Sequence, residues 1–371
     1  MKVIHLDLYK ETKIYFHLCD YLIKEEQVIK GDFLEKLGIS ASSYRRARQS
    51  EQNIGKEIKL ILAKYFNLRI HTDYEIDKIE DLFNNIYLDA YYKKFDNFDK
   101  YLSQLDKEIE TKSLLYPLFY LMKCFMVHNY SEVEPSQKKI VGLLIQEILK
   151  LKNFFSNDFK ELINLIEIAK GNFIEQNIKS KSGLLYFTFA SKMAQNNESI
   201  KALYYAQKAR DIFLEQNNFL RTYYTNLIFM LAYTGISDFQ SCYDLAQKQL
   251  LSLDAFKNPD KKLYYTTTNH FIIANLGLKR YNETLALIGE SENYPRTAQY
   301  CRLVALYMTN KTKYKNELEN LLKDDNSDEN KVLEALNLVL TKKNKEALAL
   351  IKKAGLKLNF YNALKINFFN E

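Results

Sequence analysis

The segment "SSYRRARQ" at residues 42–49 gathers side chains suited to reading a polyanion. Arg45, Arg46 and Arg48 carry planar forks of donors that match guanine edges and phosphates; Gln49 matches adenine; Ser42 and Ser43 can bond phosphate or base edges. Tyr44 and Ala47, three apart, give the same helix an apolar inner face. Downstream, Lys56, Lys59 and Lys64 are cations placed to meet a phosphate backbone. Between Gly38 and Arg69 seven cations stand against two carboxylates, a local +5 in a chain whose total is +7. Such a concentrated excess points to a local polyanion contact, with a merely solvated basic face as the plain alternative.

Other chemistry is sparse. For His5, His17, His71, His128 and His270 no pairing with a carboxylate at i,i+4 is expected, and no zinc-protease, nucleophile-elbow, P-loop or dinucleotide-binding sequence is present. "DDNSDEN" (324–330) lacks the turn glycine and closing glutamate of a calcium-binding loop and reads as a solvated loop. Cys19, Cys124, Cys242 and Cys301 have no paired spacing, as expected of reduced, buried thiols. We therefore expect no catalytic residues, no metal and no cofactor. The N-terminus has no continuous apolar core and no run of about 18 apolar residues occurs, so neither a signal peptide nor a membrane span is expected and a cytoplasmic location is.

The elements that position the basic segment follow from punctuation and period. Ten glycines and four prolines in 371 residues are too few for strands joined by tight turns, which predicts an all-α chain. Residues 1–70 read as four or five short helices. "TKIYFHLCDYLIKEE" (12–26) places Ile14, Leu18, Tyr21 and Leu22 on one face, and "KGDFLEKLG" (30–38) takes Asp32 as cap and Gly38 as terminator. The basic helix follows with Ser42 as cap; the next, at 54–68, carries Ile54, Ile58, Ile61, Leu62 and Tyr65 along one stripe. Phe33, Leu34 and Leu37, the turn at Gly38, Ile39, then Tyr44 and Ala47 give the apolar offsets of a helix-turn-helix, with Ser42, Ser43, Arg45, Arg46 and Gln49 outward and Arg48 near the flank. "RIHTDYE" (69–75) is a polar break, so the domains are read as 1–70 and 76–371.

From residue 76 one amphipathic helix follows another. "LLYFTFASKMA" (184–194), "TYYTNLIFMLA" (222–232) and "LYYTTTNHFIIA" (263–274) align on Tyr-aromatic-Thr, starting at Tyr186, Tyr223 and Tyr264, 37 and 41 residues apart. Each is followed by a second helix, at 199–216, 239–254 and 281–292, and "NKEALALIKKA" (344–354) looks like a further second helix. Ala190, Ala202, Ala206 and Ala209 are small where two helices of a tetratricopeptide-like unit approach. "YPLFYLMKCFM", "IVGLLIQEILKL" and "LINLIEIAKGNF", between 116 and 173, are helical by period but match the repeat poorly. "KKAGLKLNFYNALKINFF" (352–369) is an apolar C-terminal helix suited to capping the array or pairing with a second copy.

A short N-terminal helix-turn-helix ahead of about 300 residues of tetratricopeptide-like repeats resembles the peptide-pheromone-responsive regulators of Gram-positive bacteria and their phages, the Rgg, PlcR, PrgX, NprR and AimR grouping. The resemblance rests on residues 30–49 and 184–292, and departs from the family where Lys30-Gly31 replaces the usual glutamine at the start of the first motif helix. It implies a cytoplasmic quorum-sensing transcription regulator, a homodimer that binds double-stranded DNA. A right-handed α-solenoid would bind a short linear signalling peptide on its concave face and so set DNA affinity. An extended peptide exposes N–H and C=O groups that a side-chain amide satisfies together, which points to Asn226 and Asn269. Arg221, Arg302 and Gln299 suit a terminal carboxylate or acidic side chain, and Tyr186 an apolar one. The alternative is a protein-docking scaffold that reads no DNA.

Overall fold

The computed structural model describes residues 4–7, 16, 23, 30–49, 53–94, 96–111, 113, 115–129, 160–170, 182–257, 259–289, 296–322 and 327–354. These residues are overwhelmingly helical and contain no β-strand, only an isolated parallel bridge between Arg69 and Ser113, so the all-α expectation holds. Contacts divide the chain into two compact units, Met1–Leu185 and Tyr186–Glu371. The break read at 69–75 lies inside the first unit.

In the first unit, α1 (Lys30–Lys36), α2 (Ala41–Gln49) and α3 (Asn53–Tyr65) share one core. Gly38, at φ +70°, ends α1: its N–H donates to Glu35 O (2.9 Å) and that of Ile39 to Leu34 O (2.8 Å). This pairing needs a left-handed residue, which glycine adopts without a Cβ clash. It drops Ile39 onto the core formed by Phe33, Leu34, Tyr44, Ala47, Ile58 and Leu62, with Phe16 and Ile23. Three local readings are corrected. Asp32 lies in the first turn of α1 rather than before it. The cap of α2 is Ser40, whose Oγ accepts the Ser43 N–H at 3.0 Å, and not Ser42, which is already helical. On α3 only part of the expected stripe is inward: Ile58 and Leu62 are buried, but Ile61 is 40% and Tyr65 49% exposed, and the Ile54 side chain lies outside the described residues. Ile14, Leu18, Tyr21 and Leu22 also lie outside them; the buried residues described there are Phe16 and Ile23.

Then come α4 (Asp73–Tyr92), α5 (Phe98–Glu110), α6 (Tyr116–Asn129) and α7 (Lys160–Lys170). Thr72 and Glu75 close a capping box at the start of α4. Two buried polar residues one turn apart on α4 hold the chain's beginning: Asn84 accepts from the Ile4 N–H (2.9 Å) and donates to Ile4 O (2.8 Å), and Glu80 accepts from the Leu6 N–H (2.8 Å). "IVGLLIQEILKL" lies outside the described residues.

Helix α8 (Gly183–Gln195) spans the division between units. The second unit continues with α9 (Ser199–Glu215), α10 (Phe219–Gly235), α11 (Phe239–Asp254), α12 (Lys261–Gly277), α13 (Tyr281–Ile288), α14 (Arg296–Thr309), α15 (Lys311–Leu322), α16 (Ser327–Leu340) and α17 (Asn344–Ala354). Helices are found where they were expected, with α13 shorter than read and α16 starting at Ser327, inside the stretch read as a loop. Consecutive helices pack together, and α10, α12, α14 and α16 also touch in turn, so the even-numbered helices form a continuous layer. Ala190, Ala202, Ala206 and Ala209 are fully buried where small residues were expected.

The scarcity of glycine is explained by the turns. Asn197, Asn217, Ser237, Lys279 and Lys342 adopt the left-handed conformation (φ 55–64°) that glycine usually supplies after a helix. Glycine is kept where helices collide. A Cβ on Gly235 would lie 2.3 Å from Ser199 Oγ, and one on Gly277 would lie 2.3 Å from the Phe239 ring. Both meet the first residue of the preceding odd-numbered helix, one repeat apart.

Candidate functional site

On α2, burial of Tyr44 (3% exposed) and Ala47 (0%) fixes the rotation of the helix. Arg45 and Arg46 are then exposed, as is Ser42, while Ser43 is half-buried. Ser40 Oγ contacts both neighbouring hydroxyls, at 3.0 Å to Ser42 and 2.8 Å to Ser43, so the start of the helix carries a cluster of three serines. Tyr44 is held by an edge contact to Phe16 (5.2 Å) and by Lys30, whose ammonium sits 4.3 Å from the ring. Arg48 and Gln49 belong to α2, but their side chains lie outside the described residues. On α3, Lys56 and Lys64 are exposed and Lys59 is half-buried. A helix with its side chains is about 10–12 Å across, a width that a major groove about 12 Å wide admits.

Of the six residues read as peptide contacts, Asn226, Arg302, Arg221 and Tyr186 have partners on neighbouring helices. Asn226, 9% exposed, donates to Gln249 Oε1 at 2.9 Å, and Gln249 in turn donates to Thr267 Oγ1 at 2.8 Å. This chain of amides pins α10 to α11 and α11 to α12. Arg302 donates through Nε to Glu317 on α15 (2.8 Å) and through Nη1 to the Gly289 carbonyl after α13. Arg221 is 3% exposed, its guanidinium 5.3 Å from the Phe187 ring. Tyr186 stacks on Tyr205 (6.0 Å), with Lys208 5.5 Å from its ring. Asn269 and Gln299 are half-buried on α12 and α14. Asn226, Arg221 and Arg302 thus make contacts that hold neighbouring helices together. The outward side of α10 is instead apolar: Leu220 and Tyr223 are half-buried and Leu231 is 40% exposed, while Leu227 between them packs on the Met230, Cys242, Ala246 and Ala274 core. That of α12 is more polar, with Tyr265 (59% exposed), Thr266 and Asn269. The sequence carries this side as Leu220, Tyr223 and Leu231, opposite a polar stripe of Arg221, Thr222, Thr225 and Asn226 that turns inward.

The expectation that no histidine pairs with a carboxylate at i,i+4 is corrected by His71 and Glu75, which the polar break at 69–75 brings to the start of α4. His71 contacts Ser113 Oγ through Nε2, while its Nδ1 lies 4.0 Å from Glu75 Oε2 and its Nε2 3.8 Å from Glu108 Oε2. Arg69 bridges both carboxylates, at 2.8 Å to Glu75 and 3.3 Å to Glu108. A serine, a histidine and a glutamate in this order suggest a hydrolytic triad. Ser113 is fully buried, however, and its oxygen already accepts the Leu115 N–H at 3.0 Å, so a substrate cannot reach it. Burial draws the His71 imidazole down to about 4, and Arg69 adds to the effect. The Thr72 N–H and the Arg69 guanidinium hold Glu75 at about 2. The cluster fastens the start of α4 to the end of α5.

Among the described residues no His/Cys/Asp/Glu group is arranged to hold a metal ion, and no helix is long and apolar enough to cross a membrane. Cys124, Cys242 and Cys301 are buried free thiols, with Cys242 raised to about 11 and Cys301 to about 12 by burial. No protein-family model, curated protein or solved structure matches the chain.

Proposed function

We propose that the chain is a DNA-binding transcription regulator, acting as a homodimer in the cytoplasm, with α2 as its reading helix. The observation that carries this reading is the division of α2 into a buried Tyr44/Ala47 side and an exposed Arg45/Arg46 side within a segment of local charge +5. Arg45 and Arg46 take base edges or phosphates, and Ser42 and the first turn of α2 take phosphate. Lys59 on α3 adds a backbone contact, and Arg48 and Gln49 are retained as contacts by residue type.

The repeats provide the control. A short linear peptide lies along the even-numbered helices, against Leu220, Tyr223 and Leu231 of α10 and the Thr266/Asn269 edge of α12. Asn269, Gln299 and Tyr186 are retained as contacts. Asn226, Arg221 and Arg302 act by holding the helices that form the surface. The test is a mobility shift with the DNA upstream of the chain's own gene, comparing the wild type with Arg45→Ala/Arg46→Ala. A large loss of affinity is expected, and unchanged affinity would remove α2 from the interface.

A further inference from the structure

We propose that the outer face of α3 pairs with the same face of a second copy of this chain about a two-fold axis. Glu57, Leu60, Ile61 and Lys64 stand at i, i+3, i+4 and i+7, so they form one stripe on one side of the helix. All four are exposed, Leu60 at 59% and Ile61 at 40%, while Ile58 and Leu62 turn into the core. Leu60 and Ile61 thus leave two large aliphatic side chains side by side in water, flanked by charge on both sides. Tyr65, at the edge of the stripe, is 49% exposed but fixed in place by edge contacts to Phe33 (4.8 Å) and Phe66 (5.0 Å).

The order of charges selects the occupant. Glu57 and Lys64 are equidistant from the midpoint between Leu60 and Ile61. When a second α3 is laid antiparallel across that midpoint, each Leu60 meets Ile61 of the other copy and each Glu57 meets its Lys64. Each Lys56 then faces the Tyr65 ring of the other copy. A parallel arrangement would set Glu57 against Glu57 and Lys64 against Lys64. The face is therefore self-complementary in one orientation, as an isologous contact requires. It is also small beside the roughly 800 Å² per partner of a stable interface, so association is weak and strongly concentration-dependent.

Sedimentation equilibrium without nucleic acid tests this, over a range from low micromolar to the solubility limit. The reading of α2 as a DNA contact stands or falls separately. Wild type is expected to self-associate at the upper end. Leu60→Asp, Glu57→Lys and Lys64→Glu should each weaken association about tenfold, and Glu57→Lys/Lys64→Glu should recover most of it. All these positions are exposed, and circular dichroism verifies that each variant keeps its helix content. A wild type that stays monomeric throughout overturns the proposal. So does a dimer indifferent to Leu60→Asp, or a double charge reversal no better than the single ones.

Discussion

Replacing Gln249 by leucine tests whether Asn226 belongs to the interior or to a ligand. Gln249 is 2% exposed and links Asn226 on α10 to Thr267 on α12. Leucine keeps the bulk and removes both bonds. Thr267 is not stranded, because its hydroxyl still donates to Leu263 O at 2.8 Å. Asn226 is stranded: its Oδ1 already has no hydrogen-bond partner, and its amide nitrogen would lose Gln249. A buried amide left unpaired costs about 1–3 kcal/mol, and the lost bond to Thr267 adds about 1, so Gln249→Leu should destabilise by about 2–4 kcal/mol. Asn226→Leu alone strands the Gln249 carbonyl, at about 1–3 kcal/mol. The double variant leaves no polar atom of the pair behind and should be more stable than Gln249→Leu. Guanidinium unfolding followed by far-ultraviolet circular dichroism gives the three values, and the cycle should show a coupling of about 2 kcal/mol. If the effects add within about 0.5 kcal/mol, the amide chain is no pin and Asn226 is open to a ligand after all.

Three further outcomes follow from the same structure. Lys342→Gly, at φ 63° in the turn between α16 and α17, should raise stability by about 0.5–1 kcal/mol in the same unfolding assay, whereas a β-branched valine there should lower it. Gly277→Ala drives a methyl group into the Phe239 ring and should cost about 1–3 kcal/mol, with a lowered Tm as the readout and an unchanged one as the contrary result. His71 and His270 are both drawn down by burial to about 4 from 6.5, so the unfolded chain protonates first on acidification. Stability should be full above about pH 6.5 and decline towards pH 4, by up to about 3 kcal/mol for each histidine, and His270→Leu should remove part of that slope. Glu75, held at about 2, loses its contribution only below its ordinary 4.5, so the histidine window is read above that value.

The parts of the fold legible in the sequence are those governed by local rules. Gly38 ends α1 because only a left-handed residue closes that turn, and Tyr44 and Ala47 face inward because three-residue spacing puts them on one side of α2. The pairs α8–α9, α10–α11 and α12–α13 follow from repeated aromatic and alanine positions. On α3 local rules fail: apolar residues at 58, 60, 61, 62, 63 and 65 cover more than half the circumference, and period alone cannot say which side the core takes. Residue type points Asn226 to a peptide backbone and Arg302 to a carboxylate, and neither rule says which side of the helix is covered. On helices packed by neighbours on several sides, such residues find partners inside, here Gln249 and Glu317. The His71 cluster joins residues 42 positions apart through Ser113, which no spacing rule foresees.

The central claim is that the exposed side of α2 meets DNA, and the salt dependence of binding tests it most directly. Wild type and Arg45→Ala/Arg46→Ala should be titrated onto duplex DNA from the chain's own upstream region at several salt concentrations. If each arginine neutralises a phosphate, the slope of log K against log salt should fall by about 0.9 for each one removed; if one reads a base instead, discrimination against unrelated DNA should fall with it. The same affinity, slope and discrimination in both proteins would contradict the account.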